Sequence, residues 1–237
     1  MLVAAAVCPS PPLLLPEVAT GAAPELDAAR TACADAVGLL AAARPDRLYV
    51  VGSAGEGAHG VYPAGAKGSF AGFGVDLSVR LGEGQADGDA RPLPASLAVG
   101  AWLLDRARWA DAPIEGLAVA GSAPADDCAA TGRRLAASAE RVALLVMGDG
   151  SARRTVKAPG YLDERAAGFD AEAARALGTA DAAALLALDA GLAEELQAAG
   201  RAPWQVLAGA AEGAGLDGRL LFEDAPYGVG YFVAAWS

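Results

Sequence analysis

Apolar residues along the chain follow two rhythms. Short, nearly continuous runs at Leu2–Val7, Arg47–Val51, Ile114–Ala120 and Val142–Met147 predict strands covered on both faces. Between them the spacing turns helical. Over Pro24–Ala43 it puts Leu26, Ala29, Cys33, Val37 and Leu40 on one side, with Pro45 as the stop. Ala95–Ala107 and Pro124–Ala139 read as further helices. Val75, Leu77, Val79 and Leu81 alternate, which predicts a half-buried, antiparallel strand over Gly74–Leu81. Gly82–Pro94 reads as a polar surface loop. Asp163–Glu212 is helical with breaks near Gly178–Asp181, Asp189–Gly191 and Gly200–Pro203. Arg219–Phe222 and Gly230–Ala234 predict two closing strands.

Strand and helix alternate through the first 150 residues, so the expectation is an α/β fold: one domain over 1–237, an α/β/α sandwich with a mostly parallel mixed sheet. In such sheets the crevice forms at the carboxyl ends of the strands. Three loops then matter: Cys8–Pro16, Gly52–Gly60 and Gly148–Gly160.

Composition narrows the chemistry. The chain has 237 residues, 54% hydrophobic and 20% charged, with a formal net charge of −11. Its pI near 4.5 and lack of a basic tract predict no nucleic-acid partner, because phosphate neutralisation needs clustered cations. No apolar run approaches the roughly 18 residues of a membrane span, so no membrane partner is expected. Met1–Cys8 lacks a positive leader and runs into Pro9, which favours a first strand over a secretion signal. Three scattered cysteines, Cys8, Cys33 and Cys128, fit a reducing cytoplasm.

The bias also limits reactive groups. Ala accounts for 62 residues and Gly for 30, Lys occurs only at Lys67 and Lys157, and His59 is the one histidine. Metal sites with two or three histidines are excluded, and a Ser-His-Asp triad needs His59 as its base. Glu56 is the carboxylate nearest His59 in sequence. Gly148-Asp149-Gly150-Ser151-Ala152-Arg153-Arg154, followed by Lys157, is the most distinctive stretch. It has two readings. Asp149, Gly150, Ser151, Arg153, Arg154 and Lys157 could hold an anionic small molecule with converging N–H groups and fixed positive charge. Alternatively the loop is a structural turn, its arginines paired with surface acids or with Asp163 and Glu164. Asp163 is expected to cap the following helix, and Tyr227 and Tyr231 either line the crevice or pack. Ser10 lacks the setting of a nucleophile, and Cys8 reads as a small buried residue.

Four segments, in order, carry a resemblance. They are Cys8–Val18 with its prolines and Glu17, Leu48–Ser53 followed by His59, Leu144–Ala152, and Ala199–Leu207 with its Gly-Arg-Ala-Pro. Together they resemble the class III extradiol ring-cleaving dioxygenase superfamily, which includes the catalytic β subunit of protocatechuate 4,5-dioxygenase and the Memo-like proteins. The resemblance implies a site with Fe(II) on two histidines and an acid, plus an acid/base histidine. Carried over, the metal positions fall on Ser10, near His59 and on Ala199, and the acid/base position falls on Ala152. Most of that machinery is replaced. The resemblance therefore implies a catalytically degenerate binding or accessory protein with no cofactor. A second reading is an active oxidoreductase that holds Fe(II) or another divalent metal on His59 with Glu56 or Glu223. A third is a homo-oligomeric interaction subunit using the Ala-rich helices after Asp163.

Overall fold

Neighbouring residues in the apolar runs serve opposite layers. Ala4, Ala6 and Cys8 of the first strand face one buried cluster, and Ala5 and Val7 face the other. Ala143, Leu145 and Met147 part from Val142, Leu144 and Val146 in the same way. Period-two alternation sends successive side chains to opposite faces, so a run apolar at every position belongs in the middle of a three-layer structure.

The structure, a computed structural model, describes residues 1–55, 57–84 and 91–237. Its strands are β1 (Leu2–Cys8), β2 (Arg47–Ala54), β3 (Gly60–Tyr62), β4 (Lys67–Ser69), β5 (Ser78–Arg80), β6 (Ile114–Ala120), β7 (Val142–Met147), β8 (Gly218–Asp224) and β9 (Tyr231–Trp236). Its helices are α1 (Pro16–Ala19), α2 (Asp27–Ala42), α3 (Ala95–Arg106), α4 (Ala125–Ala136), α5 (Arg165–Gly178), α6 (Ala182–Leu186), α7 (Ala190–Glu195) and α8 (Arg201–Ala210).

Seven strands form one sheet in the order β3-β6-β2-β7-β1-β9-β8. The inner four, β6, β2, β7 and β1, are parallel, and both flanks are antiparallel. The mixed α/β sandwich expected from the pattern is what forms. Helices α2 and α3 cover one face, and α4, α5 and α8 the other. All ten residues of α8 are buried. It lies so close to α4 that a Cβ on Gly209 would overlap the Ala129 backbone. Of the Ala-rich helices after Asp163, α8 is thus engaged within the chain, whereas α6 and α7 bury Leu185 and Ala193 alone.

Two local expectations change. Within Gly74–Leu81 only Ser78–Arg80 is strand, and it pairs with β4 in a separate two-stranded hairpin instead of joining the main sheet. A 3₁₀ turn at Ala71–Phe73 and a tight bond from Leu77 N–H to the Val75 carbonyl break the ladder before it lengthens. β3 and β4, only three residues each, have no counterpart in the apolar pattern. No helix among the described residues is long and apolar enough to cross a membrane.

The register sets the site. Cys8 and Gly52 both pair with Met147, so three parallel strands end side by side and their outgoing loops meet at one rim.

Candidate functional site

At that rim the loop after β1 is fastened to the loop after β7. Gly148 N–H donates to the Cys8 carbonyl at 3.0 Å. Ser10 then donates its N–H to Asp149 Oδ1 at 2.8 Å and its hydroxyl to Oδ2 at 3.4 Å. A third element closes in: Gly200 N–H donates to the Asp149 carbonyl at 2.7 Å. Gly148 and Gly200 touch backbone to backbone, and a Cβ on Gly148 would overlap the Gly200 Cα. Glycine is required there for close approach.

Asp149 is only partly exposed, and among the described residues it forms no ion pair. Burial pushes its carboxyl up to about 6, although both bonds from Ser10 pull the other way. Tyr231 is buried nearby, and its phenol is raised first by burial and then by Asp149. Among the described residues Oδ2 receives only the long contact from Ser10, so this oxygen has capacity to accept a further hydrogen bond.

The rest of the glycine-rich loop is sewn shut. Gly150 N–H donates to the Gly230 carbonyl, Ala152 N–H to Leu196, and Arg154 N–H to Gly228. Ser151 is fully buried; its N–H donates to Asp170 Oδ1 at 2.7 Å and its hydroxyl to the Leu196 carbonyl at 3.2 Å. Arg153 N–H donates to the Ser151 hydroxyl. The amides of residues 150–154 therefore do not converge on an open nest.

The arginines are committed as well. Arg153 donates to the carbonyls of Gly160 (2.6 Å) and Glu195 (3.1 Å) and lies 3.7 Å from Asp163. Arg154 donates to Asp170 Oδ2 at 3.0 Å. Asp170 has no exposed surface; burial raises its pKa, against bonds from Ser151 and Arg154 that lower it. Hence Gly150, Ser151, Arg153 and Arg154 make the contacts of a structural turn, while the Arg153 and Arg154 side chains keep 31% and 28% exposure. Lys157 is exposed. Asp163 accepts from the Arg165 N–H and side chain, which hold it down to about 2.

The positions matched to the resemblance do not assemble a metal site. Ala152 and Ala199 carry no side-chain ligand atom, and the N–H and hydroxyl of Ser10 are turned to Asp149. His59 is exposed at the entrance to β3, where its carbonyl accepts from Arg91 at 3.1 Å. Glu223 is exposed on β8. Glu56 lies outside the described residues. Among those described, no three His, Cys, Asp or Glu side chains gather as ligands. The residues at these positions do not fit Fe(II), which needs several strong donors converging.

The Gly-Arg-Ala-Pro segment is a brace. Arg201, 1% exposed, donates to the carbonyls of Gly121 and Ala123 and to Gln205 Oε1 at 2.7 Å. Gln205 in turn donates to the carbonyls of Leu185, Leu186 and Leu188. One i, i+4 pair thereby ties α8 to the turn after β6 and to the α6–α7 connection. Sequence reasoning missed Asp170 and the Arg201–Gln205 pair. The only signal was a polar residue at a core-facing helical position, as at Asp170 between Phe169 and Ala173. Tyr231 packs, and Tyr227 donates to Glu25 at 3.0 Å.

No family model matches the chain, and no curated protein matches it. Among solved structures, the uncharacterised protein JW3007 from Escherichia coli K12 is similar over 99% of both chains, with a TM-score of 0.57 and 17% identity. At that identity the likeness supports the fold alone.

Proposed function

We propose that the chain is a small-molecule binding or accessory protein on an extradiol-dioxygenase-like scaffold, without iron-dependent ring cleavage. One observation carries this reading: Ser10, matched to a metal histidine, has its N–H and hydroxyl on Asp149. Ala152 and Ala199 supply nothing in compensation. The rim instead offers Asp149, a half-buried acid with a spare acceptor oxygen. A ligand suited to it presents a hydroxyl or amine donor, in place of the anion that Arg153, Arg154 and Lys157 suggest. With its pKa near 6, Asp149 would accept such a donor best above that pH, once ionised.

The test is iron loading of the purified protein followed by elemental analysis and oxygen uptake with protocatechuate. Substoichiometric iron and no uptake are expected. One iron per chain with catechol-dependent uptake would restore an active oxidoreductase and end the accessory-protein reading.

A further inference from the structure

A second polar group reaches the rim beside Asp149. Tyr231 opens β9, and the residues after it fix which way it faces. Phe232, Ala234 and Trp236 face the layer of α4, α5 and α8, whereas Val233 faces the layer of α2 and α3. Period two puts Tyr231 on the side of Val233. Cys8 of β1 and Met147 of β7 face that same layer, and the Ser10–Asp149 pair lies two residues beyond them.

Backbone pairing brings the three residues together. Gly150 N–H donates to the Gly230 carbonyl at 2.7 Å, Gly230 N–H to Ser151 at 2.9 Å, and Arg154 N–H to Gly228 at 3.0 Å. The loop after β7 therefore runs antiparallel to residues 228–230, and Tyr231, one step further, comes opposite Asp149. Within the sheet β9 pairs with β1, Val7 against Ala234, and the same count brings Ser10 level with Tyr231.

The ring of Tyr231 is packed, but its hydroxyl is not used. The residue is 1% exposed, and among the described residues the hydroxyl has no hydrogen-bond partner. The occluded unpartnered groups are Arg201 Nε and Trp204 Nε1, so the little surface Tyr231 keeps includes its hydroxyl. The Asp149 carboxylate is near enough for its charge to raise the phenol, after burial, yet its bonds come from Ser10 alone among the described residues. A donor and an acceptor thus stand close together with neither bonded to the other.

Their chemistry selects a ligand. Ionised Asp149 only accepts, and a phenol stays protonated at neutral pH and can donate. A group that bridges them must donate to one and accept from the other. A hydroxyl or a carboxamide does both, whereas an ammonium has no lone pair to offer.

We infer that Tyr231 is the second contact of the rim site, and that the site takes a neutral hydroxyl or carboxamide group bridging Tyr231 Oη and Asp149 Oδ2. This rests on the reading of Asp149 as the ligand's acceptor and narrows it by setting amines aside.

An NMR titration of the full chain tests it, at a pH above the titration of Asp149, with acetamide, ethylene glycol and methylammonium as probes. Ser10 N–H, bonded to Asp149 Oδ1, is the reporter. Acetamide or ethylene glycol is expected to shift its signal and to bind more tightly than methylammonium. Tyr231→Phe keeps the ring and should weaken the neutral probes about tenfold, the scale of one hydrogen bond. Equal affinity of wild type and Tyr231→Phe for the neutral probes, or a wild-type preference for methylammonium, would overturn the role of Tyr231 and leave Asp149 as the acceptor. No shift with any probe would overturn both. The wild-type preference needs no variant, so it decides the matter even if Tyr231→Phe does not fold.

Discussion

In the loop from Gly148 to Asp163, two arginines meet a fully buried aspartate, a second acid and several carbonyls, and every guanidinium has work inside the fold. In the β4–β5 hairpin, Lys67 and Arg80 are cross-strand partners with no acid paired to either among the described residues. The loop has the glycine spacing and charge density of an anion site, and the hairpin has neither. The difference lies in availability. A cation reads out a ligand only when the fold has not already supplied its counter-charge, and that depends on residues distant in sequence.

The comparison can be pressed hardest at Asp170. Asp170→Ala leaves the buried Ser151 N–H without a partner and the Arg154 guanidinium, 28% exposed, without its counter-charge, which is expected to cost about 2–3 kcal/mol in denaturant unfolding. A loss under about 1 kcal/mol would mean the loop is not held shut by this pair.

Next comes Asp149. Its folded pKa near 6 exceeds the unfolded value of 3.8, so between those pH values the native state keeps a proton that the unfolded chain has released. Stability from this group therefore falls as pH rises through that window and stays low above it. Asp149→Asn removes the effect. The stability of the variant relative to wild type should improve by up to about 3 kcal/mol from pH 4 to pH 7. A flat difference would show that Asp149 is solvated in both states.

The smallest effect belongs to the hairpin. Lys67→Glu should stabilise the unliganded protein by about 0.2–1 kcal/mol at low salt, and added salt should shrink the gain. Destabilisation instead would indicate that Lys67 already has an acidic neighbour.

The large elements were legible because their cause is local. β1 and β7 are apolar at every position, and α2 and α3 carry helical periodicity between prolines. The strand expected at Gly74–Leu81 shrank to Ser78–Arg80 because alternation marks half-burial, which a turn-rich flap over α3 satisfies as well as a sheet does. That the ends of β1, β2 and β7 lie side by side followed from the rule of strand ends. What the rim contains did not follow, since the amides of Gly150, Ala152 and Arg154 find their carbonyls in Gly230, Leu196 and Gly228, far along the chain. Asp170 was invisible for the same reason. Lys67 opposite Arg80 could have been seen only with the hairpin register in hand.

The place of β1 in the sheet bears on how the protein is made. Its neighbours are β7 and β9, so during synthesis β1 waits for partners that lie far later in the chain. Until Val142–Met147 emerge, Leu2–Cys8 is an unpaired, wholly apolar edge, and the antiparallel partner Tyr231–Trp236 comes later still. Non-local pairing of this kind slows folding and prolongs exposure of sticky strands. Completion of the sheet is then held back until β9 has emerged, and production of the protein in cells is expected to depend on chaperone capacity.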